Sequence, residues 1–148
     1  MEIEKKYLTD NSFDYTIFPH KKLIQGYLST NPVVRVRKED ENYYLTYKGK
    51  GMMVREEYNL ALTAEAFDHL IQKADGNIIS KTRYLIQYGK HTVELDVFDE
   101  PFAPLIMAEV EFDSVDEAEA FIPPSWFTKE VTNDPAYQNS NMSKKIFK

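Results

Sequence analysis

Charged residues alternate with other residues from the second position of the chain onward. Glu2, Glu4 and Lys6 stand at every second position, so a β-strand would place their side chains on one face of a sheet. Two carboxylates beside an ammonium group fill a sheet poorly, but they are suited to hold a divalent cation and a phosphate. The first six residues therefore predict a strand whose polar face does chemistry.

The same alternation recurs in strand-like segments along the chain. The pairs are Arg35 and Arg37, Thr46 and Lys48, Arg55 and Glu57, Lys81 and Arg83, Glu94 and Asp96, and Glu109 and Glu111. A solvated sheet face explains any single pair. Most of the pairs carry like charges, however, and like charges side by side are unfavourable unless an opposite charge lies between them. A closed barrel with every charged face toward one lumen resolves this, with basic strands facing a polyanion and acidic strands facing bridging metal ions.

The ligand types indicate which metal such a lumen would take. Carboxylate oxygens without His or Cys among them favour Mg²⁺ or Mn²⁺, the metals of phosphate anhydride chemistry. The chain has no Cys, which excludes disulfides, Cys-based zinc sites and a Cys nucleophile and suits a reducing cytoplasm. Its three His residues are scattered, and surface or packing roles are predicted for them.

Local patterns predict the elements that must position these side chains. Strands are expected near residues 2–8, 24–30, 33–39, 42–48, 53–61, 77–88, 91–98 and 106–113. Helices are expected from Thr63 to Ala74, after Ser114, and from Asp134 to Lys148. The expected fold is α+β, an eight-stranded antiparallel β-barrel with a few peripheral helices, because closure removes edge strands.

Bulk properties limit the classes of function. The 148 residues are expected to form a single domain, residues 1–148, with a hydrophobic content of 43% that is ordinary for a globular protein. A net charge of −6 argues against a nucleic-acid partner. No apolar stretch reaches membrane-spanning length and the N-terminus lacks a signal core, so we expect no membrane partner and a cytoplasmic location.

Nine segments, taken in order, carry a family resemblance. They are Glu2-x-Glu4-x-Lys6, Gln25-Gly26-Tyr27-Leu28, Val34-Arg35-Val36-Arg37, Leu45-Thr46-Tyr47-Lys48-Gly49, Val54-Arg55-Glu56-Glu57-Tyr58, Lys81-Thr82-Arg83-Tyr84, Glu94-Leu95-Asp96-Val97-Phe98, Ala108-Glu109-Val110-Glu111 and Lys129-Glu130-Val131-Thr132-Asn133-Asp134-Pro135-x-Tyr137. Over essentially its whole length the chain resembles the CYTH superfamily, the triphosphate tunnel metalloenzymes. This superfamily includes bacterial inorganic triphosphatases and class IV adenylate cyclases.

The resemblance implies an eight-stranded tunnel that binds a triphosphate with a divalent metal, Mg²⁺ or Mn²⁺. Hydrolysis of inorganic tripolyphosphate is the first expectation, because nothing in the sequence announces a nucleobase pocket. The alternatives are an adenylate cyclase that converts ATP to cyclic AMP and pyrophosphate, a thiamine triphosphatase, and a polyphosphate-binding module without turnover. The metal carboxylates argue against the last, and a homodimer is compatible with the family.

The resemblance also implies roles for individual residues. The metal ligands would be Glu2, Glu4, Glu109 and Glu111, with Glu57 and Asp96 as secondary candidates. The phosphate ligands would be Lys6, Arg35, Arg37, Lys48, Arg55 and Arg83, joined by Lys81 and Lys129. Lys6 and Tyr27 are the candidates for a direct catalytic role, Tyr27 by orienting a terminal phosphate or water. The chain departs from the family pattern at Asn59, where relatives often have an acid, and at Ala136, where they commonly have Arg.

Overall fold

The computed structural model of the protein describes residues 1–147, which are built mainly from one antiparallel sheet. The strands are β1 (Glu2–Thr9), β2 (His20–Thr30), β3 (Val33–Glu39), β4 (Asn42–Lys48), β5 (Val54–Arg55), β6 (Glu57–Leu62), β7 (Asp75–Tyr88), β8 (His91–Phe98), β9 (Ile106–Glu111) and β10 (Phe127–Glu130). The helices are α1 (Ala64–Ile71), α2 (Val115–Ala120), a 3-10 turn (Pro135–Tyr137) and α3 (Asn139–Met142).

The sheet curls until its two ends meet. Its strand order is β10-β1-β9-β8-β7-β2-β3-β4-β6, and β5 pairs with β1. Only Glu56 separates β5 from β6, so this segment joins β4 on one side to β1 on the other and closes the barrel. The predicted antiparallel barrel is confirmed.

The eight predicted strands are all present, but two details of the prediction were wrong. The strand expected over 53–61 is interrupted, because Val54–Arg55 pairs with β1 whereas Glu57–Leu62 pairs with β4. At the break, the carbonyl of Glu56 accepts a hydrogen bond from the Gly49 amide instead, at 3.1 Å. The short strand β10, which pairs with the outer half of β1, was not predicted.

Apolar side chains occupy two regions. One cluster lies outside the barrel beneath α2, where Val93, Leu95 and Val110 project away from the charged side chains that alternate with them. Thr63 caps α1, where the predicted helix begins, and α2 follows Ser114 as predicted, with the Ser114 side chain as its cap. The second cluster includes Tyr27, Ile79, Phe98, Met107 and Met142, of which the first four share the strand face of the charged residues. This second cluster therefore fills one end of the barrel.

The C-terminal segment also departs from the prediction. The helix expected from Asp134 to Lys148 is a 3-10 turn followed by the one-turn helix α3, and Lys148 lies outside the described residues. Gln138 separates the two in an extended conformation, with ψ of 129°. After α3 the Ser143 carbonyl accepts a hydrogen bond from the amide of Asn77 at 2.6 Å. Tertiary contacts to β7 thus replace the helical bonds that a longer helix would form.

Among the residues 1–147, no helix is long and apolar enough to cross a membrane.

Gly26 of β2 gives a test of how α1 is seated on the barrel. A methyl group at this position would lie 2.8 Å from Ile71 Cδ1 at the end of α1 and 2.8 Å from Ala74 Cβ just beyond it. We expect Gly26→Ala to destabilise the fold by about 1–3 kcal/mol, because α1 must shift. Urea unfolding measures this. Gly49→Ala is the control, since its nearest contact would be an ordinary 3.4 Å to Glu56 Cβ, and an equal loss in both variants would contradict the prediction.

Candidate active site in the barrel interior

The barrel encloses a charged space, called the tunnel below. Its narrow part has a volume of about 60 Å³ and its wider part about 240 Å³, and the two share lining residues on β1, β3, β6, β7 and β8. The predicted site residues that line the narrow part are Glu2, Glu4, Lys6, Tyr27, Arg35, Arg37, Lys48, Arg55, Glu57, Lys81, Arg83 and Glu109. Glu111 lines the wider part.

Two predicted site residues lie elsewhere. Asp96 projects toward the tunnel but is completely buried behind Arg83 and Lys81, so it does not line the space. Lys129 is exposed on β10, outside the tunnel lining, because β10 pairs with the part of β1 beyond Lys6. The structure therefore brings together all the predicted residues except these two.

Asp96 anchors a buried ion network across β7, β8 and β9. Its carboxylate accepts two hydrogen bonds from Arg83, at 2.7 and 2.9 Å, and lies 2.7 Å from Lys81 Nζ. Arg83 also donates to Glu109 Oε2 at 3.0 Å. Burial works to raise the pKa of Asp96, but Arg83 and Lys81 outweigh it and hold that pKa below its ordinary value. Burial lowers the pKa of Lys81 to about 8, although Asp96 opposes it.

Nearby lysines do not fully balance the charge of the β1 carboxylates, Glu2 and Glu4. Lys48 Nζ lies 2.9 Å from Glu2 and 3.4 Å from Glu57, and Lys6 Nζ lies 3.9 Å from Glu4. Burial, reinforced by the charge of Glu109, raises the pKa of Glu4 to about 7. The pKa values of Glu2 and Glu111 are also raised, in both cases chiefly by burial. A cation bound among these carboxylates would stabilise their ionised forms and lower their pKa values.

The carboxylates fit a hard divalent metal by donor chemistry, because every available ligand atom is oxygen. Their side chains are turned toward lysines, however, and no three acidic or histidine side chains in residues 1–147 converge on one metal position. A bound metal therefore requires Glu2 or Glu4 to turn away from its lysine.

Strand β3, across the tunnel from β1, carries two guanidinium groups, and of these only Arg37 has an acidic partner in residues 1–147, Glu39 at 3.4 Å. Arg35 is 7% exposed and, among the described residues, has no ion pair. One of its terminal nitrogens donates to Thr46 Oγ1 at 3.3 Å, while its Nε is the one buried side-chain polar atom in residues 1–147 without a hydrogen bond. An unpaired buried cation is costly unless an anion joins it. This wall is therefore suited to a polyanion.

Neighbouring cations increase the positive character of the same wall. Burial, followed by the charges of Arg35 and Arg83, lowers the pKa of Arg37 to about 10. Arg55 lies on β5, directly opposite Glu2 in the pairing with β1, and its one side-chain hydrogen bond within residues 1–147 goes to the Gly49 carbonyl at 3.1 Å. A guanidinium group can donate two parallel hydrogen bonds to two oxygens of one phosphate.

Amides close the tunnel at the end filled by the second apolar cluster. Asn139 of α3 accepts hydrogen bonds from Lys81 Nζ at 3.1 Å and from Gln25 Nε2 at 3.2 Å. Gln25 also donates to the Tyr27 hydroxyl at 3.3 Å and accepts from Arg37 Nε at 2.7 Å. These bonds fix the tyrosine and the arginine relative to the closed end.

Some tunnel residues were not among the predicted ones. Alternation placed Thr46 and Glu94 on the charged strand faces, but neither was given a role in the site. The same alternation puts Asn59 on the face of Glu57 and Gln25 on the face of Tyr27, where Gln25 is fully buried behind the lining. Asn139 carried no such signal, since it lies on a short C-terminal turn whose contact with the tunnel depends on the whole fold. The three histidines lie outside the tunnel lining; His20 contacts Tyr84 and His91 contacts Phe112.

Comparison with known proteins agrees with this architecture. The model of the CYTH domain matches residues 1–133. The chain belongs to the CYTH family. Its curated CYTH relatives include the inorganic triphosphatase of Nitrosomonas europaea, 38% identical over 152 residues that cover 98% of both chains. The inorganic triphosphatase of Acetivibrio thermocellus is 34% identical over 151 residues, covering 99% of this chain and 96% of the other.

Two solved structures have the same fold. The crystal structure of an inorganic triphosphatase matches with a TM-score of 0.73 and 36% identity, covering 99% of this chain and 96% of that one. A proposed adenylate cyclase from Bacillus halodurans matches with a TM-score of 0.58 and 17% identity, covering 80% of this chain and 84% of that one. At that identity the second likeness concerns the fold alone.

Proposed function

We propose that this CYTH protein hydrolyses inorganic tripolyphosphate to pyrophosphate and phosphate with the help of Mg²⁺ or Mn²⁺. The observation that carries the proposal is Arg35, a buried guanidinium without an acidic partner among the described residues, opposite a set of carboxylates that ionise with difficulty. An anion would stabilise the wall that contains Arg35, and a cation would stabilise the wall that contains the carboxylates. A metal–triphosphate complex supplies both charges. The two curated relatives that are inorganic triphosphatases support the choice of substrate.

Each wall has a distinct task in the proposed reaction. Arg35, Arg37 and Arg55 bind non-bridging oxygens and align the chain of phosphates along the tunnel. Water attacks the terminal phosphorus, the bond from that phosphorus to its bridging oxygen breaks, and the electron pair of the bond leaves with pyrophosphate. Such a transition state is stabilised mainly by fixed charge and by positioning.

The metal would be held by Glu2, Glu4, Glu109 and Glu111, with Glu57 as a further ligand. When bound, it would neutralise charge on the phosphate oxygens and favour an ionised water. Lys6 keeps its proton, because Glu109 and Glu4 more than offset its burial and raise its pKa, so its ammonium group donates to a phosphate oxygen. Tyr27, whose hydroxyl accepts a hydrogen bond from Gln25, would orient the terminal phosphate or the water.

The proposal is tested by measuring phosphate release from tripolyphosphate, ATP and thiamine triphosphate with Mg²⁺ or Mn²⁺, and cyclic AMP in parallel. Fast metal-dependent release from tripolyphosphate alone is the expected result. Cyclic AMP with pyrophosphate from ATP would instead make the protein a cyclase, and preferential cleavage of thiamine triphosphate would make it a thiamine triphosphatase. Metal-dependent binding without any product would leave a binding module. Cytoplasmic location and homodimer formation stay predictions.

Removing the Arg35 guanidinium tests the anion-binding wall. We expect Arg35→Gln to raise the KM for tripolyphosphate by about 10–100-fold, as the loss of charge-assisted hydrogen bonds does. The free energy of unfolding without ligand should stay unchanged or rise, because the variant removes a buried charge that lacks an acidic partner. Steady-state kinetics and urea unfolding measure the two effects.

Lys129→Gln is the matched control for this variant, because Lys129 is exposed on β10 outside the tunnel. It should leave KM unchanged. A rise in KM as large as that of Arg35→Gln would restore Lys129 as a phosphate ligand and contradict the assignment of the tunnel wall.

A further inference from the structure

A chain of hydrogen bonds runs across the neighbouring strands β3, β4 and β6 where the tunnel widens. Arg35 donates to Thr46 Oγ1 at 3.3 Å, and Thr46 Oγ1 donates to Asn59 Oδ1 at 2.6 Å. Asn59 Nδ2 then donates to Glu57 Oε1 at 3.2 Å. The chain therefore runs from a proposed phosphate ligand to a proposed metal ligand through two neutral side chains.

The direction of each bond in this chain is fixed. Thr46 is fully buried and lies directly opposite Asn59 in the pairing of β4 with β6. Its hydroxyl has one proton, which it gives to Asn59 because Arg35 has only donors to offer. The amide of Asn59 must then present its oxygen to Thr46 and its nitrogen to Glu57. A carboxylate at position 59 could still accept the hydrogen bond from Thr46, but it could not donate one to Glu57.

We propose that Asn59 is a positioning residue that fixes Glu57 relative to Arg35 and so couples metal binding to phosphate binding. The inference rests on the proposed function, in which these two residues contact metal and phosphate. A metal that bridges phosphate oxygens sets the distance between its own ligands and the phosphate ligands. Partners that hold such ligands in place commonly alter affinity or activity when they are removed.

Four variants test the coupling by calorimetric titration with Mn²⁺ alone and by the KM for tripolyphosphate. Asn59→Leu should weaken Mn²⁺ binding and raise KM, each by about fivefold, a modest change because Asn59 is exposed and water screens its bond to the Glu57 carboxylate. Thr46→Val should do the same, although Thr46 contacts no carboxylate in residues 1–147. Thr46→Ser retains the hydroxyl and should behave as wild type. Asn11→Leu, in an exposed loop, controls for loss of an amide elsewhere.

The double variant Thr46→Val/Asn59→Leu decides whether the contacts form one unit. Both substitutions break the same chain of hydrogen bonds. The double variant should therefore change Mn²⁺ affinity and KM by the same factors as either single variant, not by their product. Unchanged Mn²⁺ binding in Thr46→Val, or multiplied effects in the double variant, would overturn the coupling. A fall in the unfolding temperature with both affinities unchanged would reduce Asn59 to a purely structural role and would also overturn it.

Failure of the proposed function gives a different pattern. If the wild-type protein binds Mn²⁺ and tripolyphosphate without hydrolysing it, the proposed function is wrong. The coupling is then tested by calorimetric binding of tripolyphosphate in place of KM, with the same expected ratios. If the wild-type protein hydrolyses tripolyphosphate but the variants show no linked change, only the coupling is wrong.

Discussion

Replacing Glu4 by glutamine should remove metal-dependent hydrolysis and at the same time stabilise the metal-free protein. Loss of a metal carboxylate costs several kcal/mol of transition-state stabilisation, so we expect the rate with Mg²⁺ or Mn²⁺ to fall by at least about 1,000-fold. Near-normal activity would show that Glu4 is not a metal ligand.

The stability change has a definite sign. Burial raises the pKa of Glu4 from 4.5 to about 7, so the ionised form is disfavoured in the fold. This cost is absent below pH 4.5, grows as the pH rises to about 7 and is complete above it, where it amounts to at most about 3 kcal/mol. Glu4→Gln should therefore unfold at higher urea concentration than wild type at pH 8 in a chelator, and at a similar concentration at pH 4.5.

Glu119→Gln is the control for both effects, because Glu119 is an exposed carboxylate of α2, far from the tunnel lining. It should change neither the rate nor the dependence of stability on pH. A stability gain for Glu4→Gln that is the same at both pH values would contradict the assignment of the raised pKa to this carboxylate.

Replacing Arg83 by methionine should destabilise the fold by about 3–5 kcal/mol. Arg83 is buried and donates to Asp96, Glu94 and Glu109, so its loss leaves carboxylates buried with fewer cations. Removing one partner of a buried ion network lowers the free energy of unfolding by several kcal/mol, because the remaining charges stay buried without compensation. Replacing the whole network by apolar side chains would change that free energy much less. Urea unfolding at pH 7 measures the change, and a loss below 1 kcal/mol would contradict the expectation.

Two further variants separate charge from geometry at this position. Arg83→Lys keeps the charge but not the planar guanidinium group that makes two bonds with Asp96. Its free energy of unfolding should therefore lie between those of wild type and Arg83→Met. Lys22→Met removes one partner of the Lys22–Asp99 pair, in which both side chains are nearly half exposed. Its cost should stay below about 1 kcal/mol, as for other surface pairs.

Much of the tunnel could be predicted because alternation is a local property. Once Arg35 and Arg37 occupy one face of a strand, Val34 and Val36 must occupy the other, and only a shared lumen makes such like-charged faces favourable. The position of Asp96 shows the limit of this reasoning. Alternation places it on the tunnel face, but only the packing of β7 against β8 sets Arg83 and Lys81 in front of it.

The unpredicted elements depend on contacts between distant parts of the chain. Strand β10 has four residues, too few for a pattern, and exists because it pairs with β1. The segment after Asp134 has helix-starting residues, and its extension is stopped by the contact of Ser143 with β7. Asn139 reaches Lys81 across 58 positions of sequence, and no local signal records such a contact.

The pairing of β1 has a consequence for how the protein is made. All its strand partners come later in the chain, from Val54 at the nearest to Glu130 at the furthest. At ordinary rates of synthesis, β1 waits roughly ten seconds before its last partner exists, with its backbone hydrogen-bonding groups unpaired. Its Glu and Lys residues carry charge, and charge on an unpaired strand edge discourages pairing with other chains. We therefore expect the side chains proposed to hold metal and phosphate in the finished barrel also to limit aggregation of the unfinished one.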